Sequence, residues 1–316
     1  MLRTRSRWIM SVTERGGVGP PVEAVLARLG WMRRQRIWPA GPRYLWTDAF
    51  GVVLLLSLAD ATGDERWIDE AERLVSEVER VLGRPRGLRI GEAPDRDGQY
   101  FHYLAMWLFA LQRLSRSRPR YRERALRLVR DIHPRFVLPG VGVYWKMRED
   151  LSGPYPGYGL GAIDPFHGLV VYRLLDEREL APQIAEMEGL VAAQWSALHV
   201  TQDLGLGMLL WLSHFRPRDP WAPVLKSRSL ATLDRMWVDP PGYFCREPGA
   251  RSVRFAFTNY GVAIGLTAVG ERPERVAGLL DYFESYRSGD EYDTNAITHV
   301  MGCCARLPGR LLADED

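Results

Sequence analysis

Residues 47–83 read TDAFGVVLLLSLADATGDERWIDEAERLVSEVERVLG and hold two helices of opposite character. The first half is apolar at nearly every position, so a helix there must be surrounded on all sides. In the second half Trp67, Ile68, Ala71, Leu74, Val75, Val78, Val81 and Leu82 recur at helical spacing with Glu and Arg between them. That is the pattern of a helix with one buried face. The turn ATGDE joins them, with Gly63 as a stop and Asp64–Glu65 as an acidic start.

The same alternation runs along the rest of the chain. The apolar stretch 97–114 precedes the amphipathic PRYRERALRLVRDIH, and DPFHGLVVYRLLDE precedes APQIAEMEGLVAAQWSALH. TQDLGLGMLLWLSHF precedes DPWAPVLKSRSLATLDRMW, and TNYGVAIGLTAVG precedes ERPERVAGLLDYFESY. A last apolar stretch, YDTNAITHVMGCCARL, finds its outer partner in the early PPVEAVLARLGWMRR if the array closes on itself. This predicts about six inner and six outer helices, repeating at roughly 35–65 residues. Strand patterns are confined to VGVYWKM, PGYFCRE and RSVRFAF in loops. Hairpins that each contain a buried helix must share a core, and a closed ring provides one. The expectation is an all-α (α/α)6 toroid, one domain over 1–316 with a flexible segment over 1–20. An open α-solenoid would show a more regular repeat.

Composition excludes several classes. The chain has 316 residues, 46% hydrophobic and 26% charged, with a formal charge of +3 carried mostly by scattered arginine. No basic block interleaved with aromatics stands out, so a nucleic-acid partner is not expected. Three cysteines, two of them adjacent, give neither a disulfide framework nor a zinc spacing. Cys303 and Cys304 read as buried thiols of a reducing compartment, and the basic N-terminus lacks a signal-peptide core. The run AFGVVLLLSLA is too short to span a bilayer. A cytoplasmic protein is expected. Phosphate-cradling Gly loops, dinucleotide fingerprints, G-x-S-x-G and H-E-x-x-H are absent, so no cofactor is predicted. Calcium held by cavity carboxylates stays open, as does the oligomeric state.

In a toroid the inner helices run parallel and their N-termini share one opening. The six heads are WTDAF, DRDGQYFHY, IDPFHG, TQDLG, FTNYG and YDTNAITH. Asp48, Asp97, Asp164, Asp203, Asn259 and Asn295 would ring that opening. Each is also a good N-cap, and capping alone needs no more than that. It does not account for the next turn, where His102, His167, His299, Tyr100, Tyr103 and Tyr260 follow, with Trp46 at the first head. Such groups on a buried helix must find partners or border a cavity. The loops GLRIGEAPDRDG and 133–165 add Arg89 and a wall of Tyr144, Trp145 and Lys146, the last as a cationic tip. Eleven tryptophans lean the same way, since aromatics line sugar and other small-molecule sites.

With these heads the chain resembles the six-hairpin glycosidase-like superfamily of α/α toroids. That superfamily includes glycoside hydrolases, unsaturated glucuronyl hydrolases and sugar epimerases of the acylglucosamine epimerase type. The resemblance implies a site in the central cavity, built on carboxylates in the hydrolases and on histidines in the epimerases. It implies a saccharide as the small-molecule substrate. Glycosidic cleavage needs a protonated acid and an ionised carboxylate. The expectation is Asp97 as acid and Asp203 or Asp48 as base, with Asp164 next to Asp97 and with His102 and His167 holding hydroxyls. Alternatives are epimerisation or elimination with a His base and a Tyr acid, cyclisation of an apolar substrate beside aspartates and aromatics, and non-catalytic carbohydrate binding.

Overall fold

A computed structural model describes residues 19–242 and 256–313. Cys245, most of the expected strands PGYFCRE and RSVRFAF, and residues 1–18 lie outside them. Twelve α-helices follow in order among the described residues: α1 Pro20–Arg34, α2 Leu45–Thr62, α3 Arg66–Leu82, α4 Phe101–Ser115, α5 Arg120–Phe136, α6 Asp164–Leu175, α7 Ala181–Gln194, α8 Asp203–Phe215, α9 Trp221–Met236, α10 Ala256–Val269, α11 Pro273–Ser285 and α12 Ala296–Arg306. Helices α2, α4, α6, α8, α10 and α12 pack each on the next, and α12 returns to α2, so the ring closes. Helices α3, α5, α7, α9 and α11 each cover the inner helix before them, and α1 lies against α12. The early helix is thus the outer partner of the last inner one, as the closure argument requires.

Helix α2 shows why the inner layer reads as it does. Fifteen consecutive residues, Leu45–Ala59, are buried, because α3 covers it outside and α4 and α12 flank it. It is the one described helix long and apolar enough to match a membrane span, and protein surrounds it instead. Helix α3 buries Ala71, Leu74, Val75, Val78 and Leu82 and turns its acidic and basic positions outward. Gly63 ends α2 with φ of 68°, a left-handed turn that glycine adopts without a Cβ penalty.

The ring is not uniform. Helices α8 and α10 touch backbone to backbone: a Cβ on Gly207 would lie 2.3 Å from the Gly261 carbonyl oxygen. One on Gly265 would lie 2.2 Å from that of Gly207. At the C-terminal end of the inner helices the chain's last described residues cross the ring. Trp211 Nε1 donates to the Leu311 carbonyl at 2.9 Å, His214 Nε2 to Leu312 at 2.9 Å, and Arg113 Nη2 to Ala313 at 2.8 Å. Cys303 and Cys304 are buried free thiols, as expected.

Strands are minor. β1 (Gln99–Tyr100) pairs antiparallel with β4 (Lys146–Met147), with Tyr100 opposite Lys146. β2 (Val137–Leu138) pairs with β3 (Gly142–Val143). These two ribbons fix the long 137–163 arm beside the N-terminal end of α4.

Candidate active site

The structure separates the six heads into different jobs. Asp97 is not at a helix start, because α4 begins only at Phe101. Its buried carboxylate organises the loop before the helix: Oδ1 accepts from the backbone N–H groups of Ile90, Gly91 and Gly98 at 3.1, 3.2 and 2.8 Å. Oδ2 accepts from Arg89 Nη1 at 2.5 Å. Both oxygens are in use, and Asp97 ties the loop before α4 together. Arg89 is correspondingly its counter-ion.

Asp48 is similar. It sits one turn into α2 and accepts from Trp38 Nε1 at 2.9 Å and the Tyr44 N–H at 3.2 Å, with Arg43 Nη1 3.3 Å away. Burial pushes its carboxyl up to about 6, against the pull of Arg43 and the two hydrogen bonds. Its work is to tie the chain entering α2 to the helix. Asn295 is a plain cap, its Oδ1 accepting from the Ile297 N–H at 3.2 Å.

Four further expectations are corrected by packing. Lys146 is no exposed tip but 1% exposed, its ammonium 4.4–4.9 Å from the ring centres of Tyr155, Tyr100 and Tyr158. It donates to the Arg96 carbonyl at 2.6 Å and lies 3.3 Å from Glu92. It therefore anchors the 137–163 arm. His299 faces outward, edge-on to Trp31 of α1, with Nε2 donating to the Asp293 carbonyl at 2.8 Å. Burial pushes its imidazole down to about 4. Tyr260 likewise turns to the outer layer, against Phe283 of α11. Both line a small cavity of about 40 Å³ between α1, α10, α11 and α12. Tyr144 packs on the core, its backbone paired with Leu160.

What remains comes together at one place. His102, second residue of α4, has Nδ1 3.5 Å from Oδ1 of Asp164, the first residue of α6. Trp145 Nε1 donates to the same His102 Nδ1 at 3.2 Å. Trp46, Tyr100 and Tyr103 ring the imidazole at centroid distances of 5.7, 5.3 and 4.8 Å. The Tyr103 hydroxyl shares a 2.6 Å hydrogen bond with that of Tyr44. Burial raises both phenols, Tyr44 to about 12, and raises Tyr100 as well. At neutral pH these hydroxyls keep their protons and orient rather than ionise. Tyr44 and Tyr158 were missed from sequence, although Tyr44 directly precedes the first head.

Several of the buried polar atoms without a hydrogen-bond partner lie near the heads of α6 and α10. Among them are Oδ1 of Asp164 and Oδ1 of Asn259 on α10, and the imidazole of His167 lies one turn further along α6. His167 is fully enclosed, and burial pushes it down to about 3, so it is neutral. Asp203, first residue of α8, accepts from Thr258 Oγ1 at 2.7 Å and from the Leu204 N–H at 2.9 Å. Among the described residues no group of His, Cys, Asp and Glu has the arrangement of a metal site. The reachable part of the cluster is Trp145, 41% exposed, and the side chain of His102, 18% exposed. Asp164 stands behind the imidazole with a side chain only 3% exposed. A carboxylate behind a partly exposed histidine is an arrangement that can move a proton.

No protein-family model matches the chain, and no curated protein sequence does. Solved structures do. A GH76 α-mannanase of Bacteroides thetaiotaomicron superposes with TM-score 0.61 at 12% identity, over 94% of this chain and 98% of that one. The cellobiose 2-epimerase of Bacillus thermoamylovorans superposes with TM-score 0.58 at 12% identity, over 84% and 87%. An unsaturated glucuronyl hydrolase specific for heparin gives 0.56 at 10% identity, over 91% and 95%. At such identities the likeness is one of fold, and it agrees with the closed ring of helix pairs: the chain has the six-hairpin (α/α)6 toroid architecture of these proteins.

Proposed function

We propose that the protein is a carbohydrate-active enzyme of the glycoside-hydrolase kind, one toroidal domain acting on a saccharide. The observation that carries the reading is the Asp164–His102 pair at the heads of two adjacent inner helices, walled by Trp46, Tyr100, Tyr103 and Trp145. The fold it shares with a mannanase and a glucuronyl hydrolase supports it. Asp164 and His102 manage the proton at the leaving oxygen. Hydrolysis also needs a carboxylate for water or for the anomeric carbon, and Asp203 at the next inner head is the one that fits. Asp97 and Asp48 are paired with the guanidinium groups of Arg89 and Arg43, and the proposal gives them no part in the reaction. The aromatic walls would stack on sugar faces, and Trp145 is the outermost of them. Free buried Cys303 and Cys304 suit a reducing, cytoplasmic setting.

A second reading, epimerisation, is favoured by one observation: the histidine, not the carboxylate, is the exposed member of the pair. Burial keeps the Tyr44, Tyr100 and Tyr103 phenols protonated, the state that an acid partner needs. The deciding experiment screens manno-oligosaccharides, unsaturated uronides and reducing disaccharides. Release of new reducing ends, lost by about 10²-fold or more in Asp164→Asn and Asp203→Asn, supports hydrolysis. Deuterium uptake from solvent with no new reducing ends supports epimerisation. Turnover unchanged in Asp164→Asn removes the assigned site.

A further inference from the structure

His102 Nδ1 is claimed by two neighbours that want it in opposite states. The Trp145 indole N–H donates to it at 3.2 Å, which requires a lone pair there. Asp164 Oδ1, at 3.5 Å, is an acceptor, and a hydrogen bond to it requires a proton there. One nitrogen cannot serve both. The ring planes of Trp145 and His102 are only 23° apart with centroids separated by 6.2 Å. That is too far for face-to-face stacking but suits an in-plane N–H to lone-pair bond. In keeping with this, Asp164 Oδ1 has no hydrogen-bond partner although it is buried.

The backbone around Trp145 is fixed. Its N–H donates to Gly159 at 3.0 Å and its carbonyl accepts from Phe101 of α4 at 3.2 Å. The neighbouring Lys146 is locked among three tyrosines. The indole itself is 41% exposed, packed on one side against Tyr100 and Tyr158 and open to a ligand on the other. A ligand that stacks on this indole and rotates it would therefore release Nδ1.

We propose that Trp145 is a positioning residue that sets the tautomer of His102. In the free protein it holds Nδ1 unprotonated, with the ring proton on Nε2. Turning the indole away hands Nδ1 to Asp164, which then receives the proton-sharing bond it lacks. No bond other than hydrogen bonds changes, and the proton that arrives at Nδ1 is the one that leaves Nε2, carried by water. This rests on the reading of His102 and Asp164 as the reacting pair, but its test does not depend on turnover.

The test is the ¹⁵N spectrum of the imidazoles at a pH where His102 is neutral, with its signals assigned by their loss in His102→Asn. The wild type is expected to show Nδ1 unprotonated and Nε2 protonated. Trp145→Phe keeps an aromatic ring but has no N–H to donate, and there the tautomer ratio should swing towards protonated Nδ1. The expected size is about five- to ten-fold, that of one ordinary hydrogen bond. Asp164→Asn, with Trp145 intact, should leave the wild-type tautomer in place. An unchanged amide fingerprint in each variant separates these effects from misfolding. A wild-type ring already protonated at Nδ1, or a ratio unmoved in Trp145→Phe, overturns the proposal and leaves the catalytic reading standing. Normal turnover in His102→Asn would instead remove the catalytic reading while leaving the tautomer result intact.

Discussion

His167 offers the sharpest physical test of the core beneath the site. It is fully enclosed, and burial pushes its imidazole from 6.5 to about 3. The unfolded chain then binds a proton that the folded chain refuses. Stability is therefore fully present above pH 6.5 and is lost as the pH falls towards 3. At pH 5 the unfolded histidine is already 1.5 pH units below its midpoint, while the folded one is still neutral. At about 1.4 kcal/mol per unit the loss is about 2 kcal/mol, whatever the exact folded value so long as it lies well below 5. The perturbation is His167→Gln, which removes the titration and keeps a polar side chain. Urea unfolding of both proteins at pH 8 and pH 5 reads the difference, in which titrating groups that do not interact with His167 cancel. The wild type should lose about 2 kcal/mol more than the variant over that interval, a large part of a typical domain's 5–15 kcal/mol. Parallel losses would show that the folded protein accepts the proton on His167, and the argument from enclosure would fall with them.

Two further predictions concern the ring and the loop. Gly207→Ala places a methyl group 2.3 Å from the Gly261 carbonyl oxygen, where backbone cannot give way, so α8 and α10 must part. A cost of about 3 kcal/mol, the upper end for overpacking, should appear as a lower urea midpoint with an unchanged slope. An unchanged midpoint would mean that the two helices are not in backbone contact. Asp97→Asn turns an amide N–H₂ towards either Arg89 or three backbone donors. That should cost about 2–4 kcal/mol of stability while the folded fraction keeps its turnover. A stable but inactive Asp97→Asn protein would return Asp97 to the reaction.

The helix pairs and their closure into a ring are local and cumulative properties. Residues 47–83 show an all-apolar helix followed by one with a single apolar face, and five more repeats leave few ways to bury every inner helix except side by side around a centre. Periodicity therefore determined the layers, and the parallel inner helices determined that Asp48, Asp164, Asp203 and Asn259 share one end. Sequence also brought His102, Asp164, Trp46, Tyr100, Tyr103 and Trp145 into view as candidates. It could not rank them, because a carboxylate's job is set by donors that arrive from elsewhere in the chain. Asp97 and Asp164 look alike on paper. Arg89 and three backbone N–H groups from residues 90–98 surround the first, while the second faces a histidine on another helix with one oxygen unpartnered. Lys146 was misread for the same reason, since the tyrosines that enclose it lie at positions 100, 155 and 158. His299 and Tyr260 stand at the right heads, but side-chain direction around an inner helix, towards the centre or the outer layer, depends on ring geometry that helical spacing does not encode. Tertiary structure alone decided which partners each polar head meets, because those partners arrive from other parts of the chain.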